Sequence, residues 1–389
     1  MSLPAILAAV LAGFGLAQHC AGLLAARRFC RRSPAGRART APRLPPVSVL
    51  KPLHGEEPLL EQALASFCLQ EYPAFQVVFG VQAAADPALA VVERLRARFP
   101  DGDFAVVVDP TAHGVNRKVA NLMNMLPRAR HGVLVIADSD ILAAPDYLAR
   151  VVAALELPGT GLATTLYRGL PAHPALACRL GATQITHAFL PGALLGRALG
   201  RQDCFGATMA LRRETLEAIG GFRSLAGHLA DDALLGRLVR EQGLRVALAA
   251  TVPATVVAET TLPALFRHEL RWARTMRSVA PLGYALSVLQ YPLFWAASAV
   301  VLSGFGRWPL LLAAAAWAAR AALARGIDRA LGLAAAAPIW LLPLRELMSI
   351  VVILASFGGD RVQWRGQVLR VGRLRLPGQP SARGEMPSP

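Results

Sequence analysis

The strongest constraint on the fold is a 24-residue stretch without a formal charge near the start of the chain, LPAILAAVLAGFGLAQHCAGLLAA (residues 3–26). At about 1.5 Å per residue, a helix of that length spans the roughly 30 Å hydrocarbon core of a bilayer. No basic residue precedes the stretch, as a secretory signal would require, and Arg27 follows it directly. We predict an uncleaved transmembrane anchor over 1–26, its N-terminus outside, and a basic, Pro-rich cytoplasmic linker over 27–46. A buried helix of a soluble protein is the alternative.

The formal net charge of +16 over 389 residues raises the question of nucleic-acid binding. Residues 1–46 contain seven Arg and no acid, and residues 271–389 contain 14 basic and four acidic side chains. Residues 47–270 are nearly balanced, with 20 basic and 21 acidic side chains. A nucleic-acid-binding domain would carry its basic patch on the folded body. Charge that flanks apolar segments instead indicates a membrane protein with no nucleic-acid partner.

Residues 47–277 are predicted to form an α/β domain with a parallel sheet, because short β-branched runs alternate there with helical stretches. The predicted strands are VSVLKP (47–52), FQVVFGV (75–81), FAVVVDP (104–110) and VLVIAD (133–138), and the helical stretches lie at 57–69, 86–98, 117–126 and 145–154. Runs at 161–166, 206–213 and 246–257 would extend the sheet, with a helix at 231–243. Ligands of open α/β sheets bind beyond the carboxyl ends of the strands, where Lys51, Gln82 and Asp138–Asp140 fall.

Residues 278–357 are predicted to be membrane segments, with candidate spans at about 281–303, 308–326 and 338–357. The tail over 358–389 holds six Arg and two acids, which predicts a cytoplasmic location. Three full spans would place that tail outside. We therefore expect one segment, around Pro338 and Pro343 or in the helix that contains Arg320, to be re-entrant or interfacial.

Two acidic pairs are candidates for catalytic chemistry. Asp138 and Asp140 follow a buried strand, where two carboxylates can hold a hard divalent cation together with phosphate oxygens. A solvated turn is the structural alternative. Asp231 and Asp232 begin a predicted helix, and one of them could be a general base facing the same crevice. Helix capping is the simpler explanation of that second pair.

A basic segment, HELRWARTMR (268–277), precedes the first C-terminal span. Its composition is typical of an amphipathic interfacial helix. Arg271 in that helix could also neutralise a diphosphate leaving group through its planar guanidinium. The chain has only two Lys, Lys51 and Lys118, and its three Asn all lie within 116–124, so these rare residues are candidates for a site.

In their order and spacing, these features resemble the ceramide glucosyltransferase family of inverting glycosyltransferases, and especially its bacterial relatives in hopanoid biosynthesis. The resemblance covers roughly residues 47–375. The motifs that carry it are VSVLKPLHGEEP (47–58), FGVQAAADPA (79–88), GVNRKVANLM (114–123), IADSDILAAPDYL (136–148), TTLYRG (164–169), FGATMALRRETLEAIGGF (205–222), LADDALLG (229–236), HELRWART (268–275) and RELMSIVVILASF (345–357).

The resemblance implies a type A glycosyltransferase fold and a role for each matching position. Asp138 and Asp140 would bind the diphosphate of the donor through Mg²⁺ or Mn²⁺. Asp232 would take the proton from the acceptor hydroxyl, and Arg271 and Trp272 would close over the leaving diphosphate. The nucleotide-sugar site would comprise Lys51, Lys118, Asn121, Asp138, Asp231 and His268.

Two positions depart from the family pattern. Members of the family have an Asp after the second strand that is expected to contact the nucleotide base, and this chain has Ala83 there. Asp86, three residues later, is a candidate substitute. His268 stands where processive synthases have Gln, which argues against polymer synthesis.

The resemblance implies three partners: a UDP-sugar donor, the lipid bilayer, and a membrane lipid acceptor of hopanoid or sphingolipid type. Hopanoid relatives use N-acetylglucosamine and a hydroxylated hopanoid such as bacteriohopanetetrol. Anchors on both sides of residues 47–277 would hold that domain at the cytoplasmic face of the bacterial inner membrane. The alternatives are a glucosyltransferase for ceramide or another lipid, a processive polysaccharide synthase, and a non-enzymatic scaffold, which Ala83 favours.

Overall fold

A computed structural model describes residues 2–31, 44–333, 339–364 and 367–370. Most of the predicted linker, at 32–43, lies outside the described residues. Pro338 and the end of the predicted tail, at 371–389, also lie outside them.

The strands alternate with helices through the centre of the chain. In chain order they are β1 (Val47–Pro52), β2 (Phe75–Val81), β3 (Phe104–Val108), β4 (Val133–Ala137), β5 (Ile141–Leu142), β6 (Thr160–Thr164), β7 (Arg168–Pro171), β8 (Thr208–Arg212), β9 (Arg245–Leu248), β10 (Ala254–Val257), β11 (Arg361–Trp364) and β12 (Gln367–Arg370). Seven of them form one sheet in the order β3-β2-β1-β4-β8-β6-β9. Only β8 of these seven runs antiparallel to its neighbours, so the predicted α/β sheet is confirmed as a mostly parallel one.

Helices cover both faces of this sheet, as a sheet buried on both sides requires. The helices of the α/β domain are α2 (Leu60–Cys68), α3 (Ala88–Arg98), α4 (Arg117–Met125), α5 (Tyr147–Leu155), α6 (Leu176–Gln184), α7 (Leu190–Ala198), α8 (Arg213–Ala218), α9 (Asp231–Glu241) and α10 (Leu262–Val279), and α1 (Leu3–Arg31) precedes them. Side chains of α2, α3 and α5 belong to the apolar core on one face, and those of α4, α8 and α9 to the core on the other.

The run at 246–257 divides into two strands that belong to different sheets. β9 extends the central sheet as predicted, whereas β10 lies between β5 and β7 in a separate three-stranded sheet. Pro253 separates the two strands, and because proline has no N–H it cannot continue a ladder. This break carries β10 towards the segment after β4, where the acidic pair Asp138 and Asp140 lies.

The C-terminal apolar segment contains α11 (Pro281–Leu286), α12 (Pro292–Leu302), α13 (Arg307–Ala330) and α14 (Leu341–Ser356). By length and composition, α1 and α13 can each cross a membrane, and the pair Pro281–Gln290 and Pro292–Leu302, bent by 65°, could form a third span. The bend therefore lies in the first predicted span, while Arg320 lies within the continuous helix α13. Helix α14, which contains Pro343, has 16 residues and is not among the helices long enough to cross a membrane. Pro292 accounts for the bend, because proline disfavours helical geometry at the preceding residue. Tyr291 has φ −105° and ψ 80°.

The membrane-compatible helices pack directly on the α/β domain. α1 contacts α12, α13 and α7, and a Cβ on Gly22 would lie 3.0 Å from the Cβ of Pro191. A short π-helix, Ile185–Phe189, joins α6 to α7. Pro191 cannot donate to the His187 carbonyl four residues before it, and Arg320 of α13 donates to that carbonyl instead, at 3.0 Å.

Candidate active site

The first acidic pair lies at the carboxyl end of β4, where the chain leaves the central sheet. Asp138 Oδ1 is 2.5 Å from the Nζ of Lys118. Asp140 Oδ2 accepts a hydrogen bond of 2.6 Å from Thr255 Oγ1 of β10. Lys51, at the end of β1, donates to the backbone carbonyl of Asp138 at 2.6 Å. Protein contacts thus hold both carboxylates at the edge of the sheet where α/β proteins bind their ligands.

Repulsion between these carboxylates makes the first pair suitable for a cation. Burial, followed by the negative charge of Asp138, raises the pKa of Asp140 to about 6. A divalent cation between the two would relieve the repulsion. Among the described residues, no group of three or more His, Cys, Asp and Glu side chains could hold a metal. A metal ion at this pair would therefore depend on ligands other than these side chains.

The two lysines have different environments. Lys51 is fully buried with its Nζ 3.8 Å from the centre of the Phe67 ring. Burial lowers the pKa of Lys51 to about 7, although Asp140 and Asp138 oppose the shift. Burial also acts to lower the pKa of Lys118, but the negative charges around it, first that of Asp138, prevail and raise it. Lys118 therefore stays positively charged at neutral pH. Lys51 is only partly charged there, and its side chain contacts the backbone just after β4.

The second acidic pair begins α9 and faces the first pair across Lys118. Lys118 Nζ donates to the Gly206 carbonyl at 3.1 Å, and the Gly206 N–H donates to Asp232 Oδ2 at 2.9 Å. The other oxygen of Asp232 accepts the Ala233 N–H at 2.7 Å. Burial, followed by the charge of Asp231, raises the pKa of Asp232 to about 6. Each oxygen keeps a free lone pair, so this carboxylate can accept a proton at neutral pH.

Asp231 is more enclosed than Asp232. Its Oδ1 accepts a hydrogen bond of 3.2 Å from Asn116 Nδ2. In the part of the chain that the structure describes, its buried Oδ2 has no hydrogen-bond partner. Burial raises the pKa of Asp231 above its ordinary value, although Lys118 opposes the shift.

Helix α10 is attached to the strand that orients Asp140. The Nδ1 of His268 pairs with Glu259, which follows β10, and the His268 and Trp272 rings are 4.5 Å apart. Burial acts to raise the pKa of Glu259, but His268 and the charge of Arg271 lower it overall. Arg271 is partly buried, and Trp272 is 39% exposed.

Two other predicted residues serve mainly within the protein framework. Asn121 is buried, and its Nδ2 donates to the Gly80 carbonyl of β2 at 2.8 Å. Asp86 accepts the Gly55 N–H with both oxygens, at 3.0 and 3.1 Å, while Ala83 is exposed. The Asp86 carboxylate thus ties the loop after β1 to the loop after β2.

Three residues near the acidic pairs were not singled out from the sequence. Glu57 accepts a hydrogen bond of 2.5 Å from Ser139 Oγ, and Thr255 binds Asp140. Tyr167 lies near enough to the carboxylates Asp232, Asp138 and Asp140 for their charges to raise its pKa, after burial as the main cause. Glu57 and Tyr167 lie within motifs that the family shares. Thr255 had no local signal, because only the tertiary fold brings β10 to Asp140.

Comparison with known proteins gives a family match over nearly the whole chain. The family described as Glycosyl transferase family 21 matches residues 7–375. Ceramide glucosyltransferase 1 of Caenorhabditis elegans is 25% identical over 246 residues, or 62% of this chain and 52% of that protein. An N-acetylglucosaminyltransferase of Rhizobium leguminosarum bv. viciae is 24% identical over 269 residues, or 64% of this chain and 60% of that protein. The chain thus matches about half the length of the first relative.

Solved structures also include similar chains. A mannosyltransferase from Pyrobaculum calidifontis, in complex with GDP-Man and Mn²⁺, has a TM-score of 0.48 and 21% sequence identity. The similarity covers 89% of this chain and 99% of that one.

Proposed function

Because the chain belongs to Glycosyl transferase family 21, we propose that it is a membrane-bound, inverting glycosyltransferase that moves one sugar from a UDP-sugar to a lipid hydroxyl. The observation that carries this proposal is the position of Lys118 between the two acidic pairs. Its Nζ contacts Asp138 and, through Gly206, is linked to Asp232. The proposed diphosphate site and the proposed general base thus both adjoin the positively charged Lys118 side chain.

Asp232 acts as the general base in the proposed reaction. Its carboxylate takes the proton of the acceptor hydroxyl while the hydroxyl oxygen attacks the anomeric carbon from the face opposite the diphosphate. The bond between the anomeric carbon and the phosphate oxygen breaks, and its electron pair leaves with UDP. Attack from the opposite face inverts the anomeric configuration. The pKa of Asp232, raised to about 6, makes it a stronger base than an exposed Asp and leaves it ionised at pH 7.5.

The residues of this chain stabilise the charge that develops on the diphosphate. Lys118 supplies a fixed positive charge, and Arg271 and Trp272 of α10 close over the leaving group. Mg²⁺ or Mn²⁺ held by Asp138 and Asp140 would, when bound, neutralise diphosphate charge and orient its oxygens.

The remaining predicted residues orient the donor site. We assign Lys51 to the support of the Asp138 backbone and Asn121 to the support of β2, because both side chains are buried against backbone carbonyls. Asp231 and His268 border the donor pocket from α9 and α10. Ala83 replaces the Asp that would contact the uracil of the donor. Because Asp86 already accepts the Gly55 N–H, other groups of the pocket would recognise the uracil.

The leading substrate pair is UDP-N-acetylglucosamine and a hydroxylated hopanoid such as bacteriohopanetetrol, as the motif pattern implies. The name of the Rhizobium relative, N-acetylglucosaminyltransferase, supports the sugar. The name of the Caenorhabditis relative supports a second candidate, glucose transfer to ceramide. In either case, α1 and α13 would hold residues 47–277 against the cytoplasmic face of the inner membrane, with the Arg-rich segments 27–46 and 358–389 on the same side.

The test is transfer by the purified full chain in detergent with Mn²⁺, UDP-N-acetylglucosamine and bacteriohopanetetrol, with ceramide and UDP-glucose in parallel. We expect a product heavier than its acceptor by one sugar. Asp232→Asn removes the proton acceptor and should lower transfer by at least about 100-fold, with UDP-sugar affinity within about twofold. Asp203→Asn is the matched control, because Asp203 is an exposed partner of Arg201 outside the site.

Retained turnover in Asp232→Asn would contradict the assignment of the base. Release of a polymer instead of a single glycolipid would favour the processive synthase. Absence of transfer from the wild type to either lipid, with intact UDP-sugar binding, would contradict the proposed acceptor class.

A further inference from the structure

Three aromatic rings form a continuous cluster beside the second acidic pair. The ring centres of Tyr167 and Phe189 are 5.1 Å apart, and those of Phe189 and Phe205 are 5.5 Å apart in an edge-to-face arrangement. Tyr167 lies between β6 and β7, Phe189 ends the π-helix, and Phe205 precedes β8. All three rings are partly buried and keep part of their surface exposed.

Backbone connections place this cluster next to Asp232. Phe205 directly precedes Gly206, whose N–H binds Asp232 Oδ2 at 2.9 Å. The Phe205 N–H donates to Thr164 Oγ1 at 3.0 Å, so the strand that leads to Tyr167 fixes this segment. The aromatic surface therefore begins within one residue of the group that orients the general base.

The opposite side of the cluster reaches the membrane-compatible helices. Phe189 and Phe205 pack on buried apolar residues from α1, α7 and α13. These residues are Leu23, Ala26, Leu190, Leu194 and Ile327. Phe189 and Phe205 thus join the buried apolar packing of these helices to the segment that holds Asp232, and because both rings keep part of their surface exposed, the hydrocarbon of a lipid can lie against them.

The π-helix places Phe189 at this junction. π-Helical turns are rare and occur frequently at functional sites. Here the π-helix makes hydrogen bonds both to the α/β domain and to α13. Thr186 Oγ1 accepts the Gly169 N–H at 3.0 Å, and the His187 carbonyl accepts from Arg320 of α13. Phe189 is therefore held between the α/β domain and a candidate span.

The Tyr167 hydroxyl supplies the polar end of the aromatic surface. Burial, together with the charges of Asp232 and Asp138, raises its pKa, so the phenol stays protonated at neutral pH and can donate a hydrogen bond. Among the residues that the structure describes, none hydrogen-bonds this hydroxyl. A phenol donor near a carboxylate acceptor can hold one alcohol from two sides: the alcohol oxygen accepts from Tyr167, and its proton points to Asp232.

We propose that Tyr167, Phe189 and Phe205 form the acceptor subsite, in which the Tyr167 phenol orients the reactive hydroxyl towards Asp232 and the rings of Phe189 and Phe205 hold the hydrocarbon of the lipid. This assignment rests on the proposed lipid glycosyltransferase function and gives that function a specific acceptor site. Its ligand is an amphipathic alcohol, with its polar end in the crevice and its apolar body towards α1 and α13.

The test separates the phenol from the rings by using two acceptors for the full chain in detergent. Bacteriohopanetetrol carries hydrocarbon, and erythritol presents four hydroxyls without it. Tyr167→Phe should lower kcat/KM about tenfold for both acceptors, because the hydroxyl contact is lost in each case. Phe189→Leu should raise the KM for bacteriohopanetetrol about fivefold and leave kcat/KM for erythritol unchanged, because only the hydrocarbon contacts that ring.

Matched controls exclude a general loss of folding. Tyr72→Phe removes a phenol that donates to the Pro45 carbonyl at 2.7 Å, and Phe99→Leu alters a ring packed in the same core. Both should act as the wild type does. In all four variants, UDP affinity should stay within about twofold of the wild type.

Unchanged acceptor kinetics in Tyr167→Phe and Phe189→Leu would overturn the subsite. Equal losses with both acceptors in Phe189→Leu would also overturn the assignment of that ring to hydrocarbon. Weakened UDP binding would assign the cluster to the donor instead. These outcomes differ from failure of the proposed function, in which the wild type itself would bind UDP-sugar without glycosylating either bacteriohopanetetrol or ceramide.

Discussion

Lys118 is the residue that joins the two halves of the proposed site. It contacts the Asp138 carboxylate and the Gly206 carbonyl, and Gly206 in turn holds Asp232. Its sequence signal was indirect, because it is one of only two Lys in the chain. Local motifs could predict the acidic residues, since each pair follows a strand or begins a helix. They could not predict Thr255 or Glu57, whose contacts with the Asp138–Asp140 segment depend on tertiary structure.

Asp140 should destabilise the protein in the absence of a cation at neutral pH. Its pKa in the folded state, about 6, lies above its ordinary value, so folding favours the protonated form. The associated stability is present at low pH and is lost as the pH rises through about 6. Asp140→Asn should therefore raise the melting temperature at pH 7.5 in EDTA by about 2 °C, which corresponds to on the order of 1 kcal/mol. The difference should disappear near pH 4.

The same experiment with Mn²⁺ and UDP tests the role of Asp140 in metal binding. The wild type should gain thermal stability from the ligands, and Asp140→Asn should lose most of that gain together with transfer. Asp203→Asn, which alters an exposed carboxylate, should match the wild type in both conditions. Equal stabilisation of Asp140→Asn by Mn²⁺ would contradict a cation site at this carboxylate.

At the scale of elements, α10 connects the proposed site to the C-terminal helices. Glu269 lies between His268 and Arg271 and accepts a bidentate pair from Arg345 of α14, at 2.7 and 2.8 Å. The side chains of Arg345 and Glu269 are only 3% and 10% exposed. Ser349 Oγ, one turn after Arg345, accepts from the same guanidinium at 3.0 Å. The position of Arg271 and Trp272 therefore depends on α14.

Removal of one partner from this pair should be costly, because it leaves the other charge buried. Arg345→Met should lower the free energy of unfolding by about 3 kcal/mol and reduce transfer, whereas the double variant Arg345→Met with Glu269→Leu should recover most of the stability. Arg237→Met breaks the exposed pair with Glu241 and should cost less than about 1 kcal/mol. Denaturant unfolding in one detergent compares these three variants with the wild type. If Arg345→Met were as stable as the wild type, the coupling of α14 to α10 would be contradicted.

Element boundaries show where sequence patterns were informative. β1 and β2 have the predicted bounds, because β-branched runs between helical stretches give a clear strand signal. The sequence predicts an irregular membrane segment at Arg320 or around Pro338 and Pro343. The structure has a bend before Pro292, a continuous helix at Arg320, and a helix α14 that is too short to count as a span. Charge within an apolar helix was a misleading signal, because Arg320 is buried against Glu346 at 3.1 Å and needs no access to water.

At the scale of the whole molecule, the charge distribution agrees with a domain held at a membrane surface. The α/β region is nearly neutral, and the positive excess lies in the segments beside the apolar helices. α1 and α13 pack against each other although nearly 280 residues separate them in sequence. The aromatic cluster lies between this helix pair and Asp232. The sequence predicts helices at both ends, but only the fold shows that they meet beside one crevice.

The lipid profile of a strain that lacks this chain tests the central claim most directly. Mass spectrometry of the lipid extract should show loss of a lipid that carries one sugar, predicted to be N-acetylglucosamine, and accumulation of the same lipid without it. The wild-type chain should restore the glycolipid when reintroduced, and the Asp232→Asn chain should not. An unchanged glycolipid profile, or restoration by Asp232→Asn, would contradict a lipid glycosyltransferase with this catalytic base.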